Sequence, residues 1–312
     1  MRKKLGVQFR KSPKTTYAFE RLRCCKHCHS YTVLWHEECD VCGKSRFLTL
    51  RQLSHVLTRH RFQKQLLILG LLICVAILSA DTVRQLAAAG IGGVLALLVA
   101  LWMQKKYGVY ERNGHFLRFL PREADKIKNG LKRNAVEVNE DVEAERYKEA
   151  YEKMREVGFL LDSDSVKQCQ IMLLGRFVLR KDMELELASL IPSRYDRDFV
   201  EYLHDVLKVQ PWLLKKAVID YVIRYKGNIL LEEDGQRVLG LVAGCALRMK
   251  SYVVQYQEFI RESLEYMPRE RLLRLAQLLK AHPQEDWAPL YEAAARLIET
   301  RYSFDPEFKG VL

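Results

Sequence analysis

The sequence predicts a mainly α-helical chain built in three parts: a small metal-binding module at the N-terminus, a two-helix membrane hairpin, and a large C-terminal helical domain. Three observations carry this. Two C-x-x-C pairs lie in Arg23–Phe47, RCCKHCHSYTVLWHEECDVCGKSRF. Two uncharged apolar runs follow within residues 66–103, and from about Asp141 apolar residues recur at helical spacing.

Each part has its own charge. Residues 1–65 carry 15 Lys and Arg against 4 Asp and Glu, residues 66–103 one of each sign, and residues 104–312 carry 35 against 34. The net charge of +12 is therefore an N-terminal property. Domain boundaries follow: 1–22, a basic segment; 23–48, the cysteine module; 49–65, a basic juxtamembrane helix; 66–103, the hairpin; 104–140, a β-hairpin and linker; 141–312, the helical domain. No apolar run follows the basic start within signal-peptide range, so a cleaved secretory signal is not expected. Cys74, Cys169 and Cys245 stand singly in apolar helical stretches, as small buried hydrophobes do in a reducing compartment.

Cys25 and Cys28 form the first pair, Cys39 and Cys42 the second, with ten residues between them. Two such turns can present four thiolates tetrahedrally, which suits Zn²⁺ with Zn–S distances of about 2.3 Å. Gly43 permits the positive φ that turns backbone N–H groups toward the sulfurs. SYTVLW is β-branched and aromatic and predicts one arm of a hairpin whose return begins at Phe47 and Leu48. A unit this small buries too little apolar surface to fold unaided, so the metal would supply the folding energy. Residues 23–48 resemble the zinc-ribbon family in its short rubredoxin-like form. The resemblance implies a structural zinc held by Cys25, Cys28, Cys39 and Cys42. His29 departs from it, since glycine is usual there, and Cys24, His27, His29 and His36 stand as alternative ligands. Four protein ligands leave no open position for metal catalysis, and a redox dithiol would need a thioredoxin-like unit that is absent.

Leu66–Ala80 and Leu86–Met103, 15 and 18 residues without charge, span about 22 and 27 Å at 1.5 Å per residue. Lys64, Lys105 and Lys106 can extend that reach by snorkelling. Basic residues flank both outer ends while the turn holds only Arg84 and Asp81, so both termini are expected in the cytoplasm, with residues 81–85 outside a bacterial cell membrane. Ala89, Gly93, Ala96 and Ala100 make a small-residue face, matched by Gly70 and Cys74. With no charge inside either run, an ion pathway is not expected.

Past the membrane, YGVYERNGHFLRF predicts a short β-hairpin turning at Asn113–Gly114. Beyond residue 141, Tyr147, Tyr151 and Met154 make one stripe ending at Gly158; Ile171, Leu174 and Val178 make the next, capped by Ser163 or Ser165. Gly227 closes a helix begun near Pro211. VLGLVAGCALRM is apolar nearly all round and belongs at the centre of an irregular bundle or array. YLHDVLKVQPWLLKKAVIDYV and FIRESLEYMPRERLLRLAQLL share a helix–Pro–helix plan, a weak echo of a repeat.

No phosphate loop, nucleophile elbow or H-E-x-x-H is present, so no enzyme and no small-molecule substrate are expected. His204 and His282 read as satisfied or surface histidines, Asp162 and Asp164 as helix capping, and Glu232, Glu233 and Asp234 as a helix start favoured by the dipole. The expected function is a membrane-anchored scaffold that recruits protein partners through its helical domain. The alternative is nucleic-acid binding at the membrane through the basic ribbon region, with Arg46, Arg51, Arg59, Arg61 and Lys64 contacting phosphates of nucleic acid or lipid.

Overall fold

The computed structural model describes residues 4–13, 15, 18–80 and 82–311; side chains at 18, 51, 54, 55, 57–59, 61, 83, 88 and 107–119 lie outside the description. Most described residues are helical, and a small three-stranded sheet stands near the N-terminus. The chain divides into two compact units: residues 14–140, and residues 141–312 joined by residues 1–13.

In the first unit, β1 (Arg23–Cys25) lies between β2 (Tyr31–Thr32) and β3 (Phe47–Thr49), both antiparallel to it. The expected SYTVLW arm and the Phe47 return thus both pair with β1 rather than with each other, because the strand that delivers the first cysteine pair is the central one. Helix α1 (Leu50–Leu78) starts directly after β3. Thr49 accepts from Gln52 N while the Gln52 side chain accepts from Thr49 N, a capping box. Basic stretch and apolar run are therefore a single helix.

Ser79 ends α1, and a second reciprocal pair, Thr82 with Gln85 at 3.3 Å each way, starts α2 (Val83–Arg122). The β-hairpin expected at Asn113–Gly114 does not form; α2 continues through it to Pro121. An uninterrupted helix keeps every backbone hydrogen bond, and the turn signal of one Asn-Gly pair does not overcome that. Helices α1 and α2 pack closely where Gly93 meets Ile73: a Cβ on Gly93 would lie 2.7 Å from Ile73 Cγ2. Gly70, expected to share this contact, has open space beside it. The apolar surface of this pair is mostly outward: Leu67, Leu71, Ile91 and Leu95 are each more than 60% exposed.

Helix α3 (Ala124–Glu143) follows. Its Gly130 lies so close to β2 that a Cβ would sit 2.1 Å from the Tyr31 carbonyl oxygen. Asn134, 2% exposed, accepts from Thr32 Oγ1 and Val33 N, both at 3.1 Å. The sheet is thereby fastened to α3.

The named elements of the second unit are all helices. Helix α4 (Tyr147–Gly158) buries Tyr151 and Met154, and α5 (Asp164–Leu174) buries Ile171 and Leu174, as their stripes predict. Val178 lies beyond α5 and is exposed. The two helix–Pro–helix segments become α6 (Arg197–Val209) and α7 (Lys216–Arg224) about a 3₁₀ turn, then, after α8 (Lys226–Leu230), α9 (Gly235–Ala246) and α10 (Lys250–Gln255), α11 (Gln257–Glu262) and α12 (Arg269–Ala281) about another. Gly227 lies inside α8 instead of closing α7. Helix α9 holds the core: Val238, Leu239, Val242, Ala243 and Ala246 are buried, and Gly240 lets the Tyr266 carbonyl approach to where a Cβ would be 2.0 Å away. Helix α13 (Ala288–Tyr302) completes the unit.

The basic segment 1–22 does not behave as one piece. Its residues 4–13 lie against the helical unit as a non-helical segment, with a single parallel bridge from Leu5 to Phe177.

Candidate metal centre

Period-two alternation places Cys24 and Cys25 on opposite faces of β1. Cys25 turns toward the two knuckles; Cys24 is buried in the sheet packing. In each knuckle the residue after the second cysteine adopts positive φ, +55° at His29 and +68° at Gly43. In each, that residue's N–H also reaches back to the carbonyl of the first cysteine: His29 to Cys25 at 3.0 Å, Gly43 to Cys39 at 2.7 Å. The two turns have the same form, and His29 adopts the left-handed backbone where glycine would be free of strain.

Cys25, Cys28, Cys39 and Cys42 place their sulfurs within 4.8 Å of one another. Cys25 Sγ lies 3.6 Å from Cys42 Sγ, and Cys28 Sγ 3.5 Å from Cys39 Sγ. A tetrahedral centre with bonds of about 2.3 Å requires sulfur separations of about 3.8 Å, so the cluster is compatible with a metal ion such as zinc. Ser30, which sequence reasoning missed, sits between Cys28 and Cys39 at 3.1 and 3.2 Å.

Four thiols this close compete for protons. Burial raises the Cys39 thiol, but hydrogen bonds from the Ser30 hydroxyl and the Val41 and Cys42 backbone outweigh it and bring the group down to about 6. Cys42 moves oppositely: a backbone hydrogen bond at Lys44 favours its thiolate, yet burial and the neighbouring thiols push it up to about 12. Four thiolates whose sulfurs lie within 4.8 Å of one another repel, and a divalent metal would offset that charge. Burial pushes Cys24 up to about 11, despite a hydrogen bond with Tyr31, so it stays a neutral thiol.

The alternative ligands fall outside the cluster. Cys24, His27 and His29 are not part of it, and His36 turns instead to Glu137 on α3, with Nε2 2.9 Å from Oε1. Asp40 lies near this pair, and the three could hold a cation of their own. Among the proposed phosphate contacts, Arg46 and Lys64 are exposed; the side chains of Arg51, Arg59 and Arg61 lie outside the described residues. Asp162 pairs with Lys167 at 2.6 Å, and Asp164 accepts from Ser193 N at 3.1 Å, so the two carboxylates brace the chain separately. Of the three single cysteines expected to be buried, Cys245 is, Cys169 is half-buried and Cys74 is exposed on α1; burial raises the thiols of Cys169 and Cys245.

Ser30 was legible only as a hydroxyl two residues beyond Cys28. Gly130 and Asn134, a hundred residues from the strands they hold, left no local signal. No protein-family model, no curated protein and no solved structure matches this chain.

Proposed function

We propose that this chain is a membrane-anchored protein whose α1–α2 hairpin crosses the bilayer twice, holding a structural zinc ribbon and a partner-recruiting helical unit on the cytoplasmic side. The observation that carries the anchor is the apolar stretch Arg84–Lys106, 23 residues of which an 18-residue window is only 6% buried. A core helix of a soluble fold would bury that surface; here Ile91 is 72% and Leu95 63% exposed. Twenty-three residues reach about 34 Å, enough for a hydrocarbon core of about 30 Å. Its partner stretch in α1, Phe62–Leu78, is shorter and apolar; with Gly93 seated on Ile73 it supports a second crossing. Trp102 with Lys106 over its ring at 4.9 Å suits the membrane–water interface.

Recruitment rests on the chemistry of the rest. A four-cysteine centre closed by protein ligands stabilises without catalysing, and Asp162, Asp164, Glu232, Asp234 and His36 are engaged in bracing contacts. Lys4 pairs with Asp205, and Arg10 is fixed by Glu152 and Arg155 through its backbone. Docking of these N-terminal residues weakens the nucleic-acid alternative relative to a topological role for the basic residues.

The test is topology in intact cells. A cysteine at Thr82 should react with a membrane-impermeant maleimide, and one at Ser303 should react only after permeabilisation. Equal labelling of both before permeabilisation, or recovery of the chain without detergent, overturns the anchor. A steep salt dependence of nucleic-acid binding by the zinc-loaded chain would restore the alternative.

A further inference from the structure

Residues 4–13 lie in a groove on the helical unit formed by α4 and the segment 176–184 after α5. Leu5 N donates to Arg176 O at 2.8 Å and Leu5 O accepts from Val178 N at 2.9 Å. Farther along, Arg180 donates to Val7 O at 3.2 Å, Arg10 N to Glu152 at 2.7 Å, Arg155 to Arg10 O at 2.7 Å, and Ser12 N to Glu184 at 3.0 Å. All of these engage the segment's main chain, which any extended peptide could offer. Two side chains add selectivity. Phe9 packs against Tyr151 and Phe177 at ring separations of 4.6 and 5.2 Å, and Lys4 reaches Asp205 at 2.7 Å.

The groove is built, while its occupant is shallow. Glu152 and Arg155 are buried at 6% and 4% exposure, whereas Leu5 is 44% exposed and most of its neighbours are exposed too. An empty groove would leave the Arg155 guanidinium buried without the Arg10 carbonyl, a costly state for a cation. The groove therefore needs an occupant, but not one particular sequence beyond an aromatic anchor and a basic residue facing Asp205, since Glu152 and Glu184 accept main-chain N–H groups.

We propose that this groove is a peptide-recognition site held in cis by the chain's own residues 4–13, and that a protein partner binds it by presenting an extended segment, with an aromatic anchor and a basic residue, that displaces them. This deepens the recruiting role proposed above and names its site. It does not depend on membrane insertion, so failure of the topology test leaves it standing, and its own failure leaves the anchor standing.

The test uses the full chain with a protease site inserted between Pro13 and Lys14, cut after purification. The probe is a fluorescein-labelled peptide of residues 1–13, followed by anisotropy. The cut chain should take up the peptide saturably. The uncut chain should bind it at least tenfold more weakly, because the tethered segment competes at high effective concentration. A peptide carrying Phe9→Ala should lose at least tenfold in affinity, and Glu152→Gln in the chain should weaken uptake. Absence of saturable uptake by a cut chain that melts like the uncut one overturns the proposal, as does uptake indifferent to Phe9. Should the cut chain unfold, hydrogen exchange on the uncut chain decides. Amides of Leu5, Arg10 and Ser12 should exchange at least a hundredfold faster than those of α9, and faster still with Phe9→Ala; protection equal to α9 would make the segment a permanent part of the core and refute exchange.

Discussion

At Cys24 and Cys25 one backbone step separates a buried neutral thiol from a member of the four-sulfur cluster. Parity along β1 decides which is which, and the cluster of Cys25, Cys28, Cys39 and Cys42 follows. Purified chain should hold one zinc, Cys42→Ser should abolish it, and Cys24→Ser should keep it; atomic absorption reads the outcome, and stoichiometric zinc in Cys42→Ser would refute the ligand set. At His29 the side chain occupies left-handed backbone, φ +55°, which costs a non-glycine residue about 1 kcal/mol. His29→Gly should relieve part of this and slow zinc loss to a competing chelator by a few-fold, while unchanged or faster release would mean that the imidazole itself steadies the knuckle. Asp141 is a third case. It pairs with Arg146 and Lys153, both at 2.6 Å; burial raises its carboxyl, but those two cations outweigh burial and hold it below the usual range. Its contribution is thus present above the ordinary carboxylate pKa of about 3.9 and lost as pH falls through the lower folded value. Asp141→Asn should destabilise the helical unit by about 2 kcal/mol at neutral pH, less than a fully buried pair because Arg146 is largely exposed, and should flatten the acid limb of its stability; thermal melts against pH report both.

Among the elements, close approach governs. Gly130 carries the sheet on α3, and no side chain fits there because the obstacle is the Tyr31 carbonyl of the backbone. Gly130→Val should loosen the ribbon from α3, at a cost of about 3 kcal/mol, and accelerate alkylation of the four cysteines with zinc still bound at rest. Normal alkylation rates would show that the ribbon does not need this seat. Two T-x-x-Q boxes, Thr49–Gln52 and Thr82–Gln85, start the two long helices. The signature was present in the sequence at both places, and it explains why α1 begins directly after β3 with no separate juxtamembrane element. The docked segment 4–13 covers Tyr151 and Phe177, so a chain shortened past it would expose both where Phe9 now packs.

On the scale of the whole molecule, two units with separate sources of stability are expected to respond to different perturbations. The helical unit has a large apolar core around α9 and no member of the cysteine cluster. The four-cysteine module is compatible with a metal ion, which would supply its folding energy. In detergent, a chelator should abolish protection of residues 23–49 while leaving the melting of residues 141–312 unchanged, as followed by hydrogen exchange with mass spectrometry. Simultaneous loss in both units would contradict their independence.

What the sequence determined by itself is what depends on near neighbours. The C-x-x-C spacing, the apolar runs, the α4 stripe, the Ile171–Leu174 part of the α5 stripe and the apolar stretch from Val238 to Ala246 in α9 all express patterns within about twenty residues, and each lies where that pattern predicts. Tertiary structure decided the features that need a distant partner. An Asn-Gly pair that locally favours a hairpin was absorbed into α2, where continuity of helical hydrogen bonds outweighs a turn preference. Gly130 and Asn134 acquire their roles only when β2 is brought against α3. Residues 4–13 are held in place only because Phe177, Tyr151 and Glu152 are assembled by segments some 140 residues or more away, supplying hydrogen-bond partners and aromatic neighbours that an isolated segment does not have. Local propensity acts through the chain, whereas close packing and backbone pairing act through space, and only the folded chain brings those partners together.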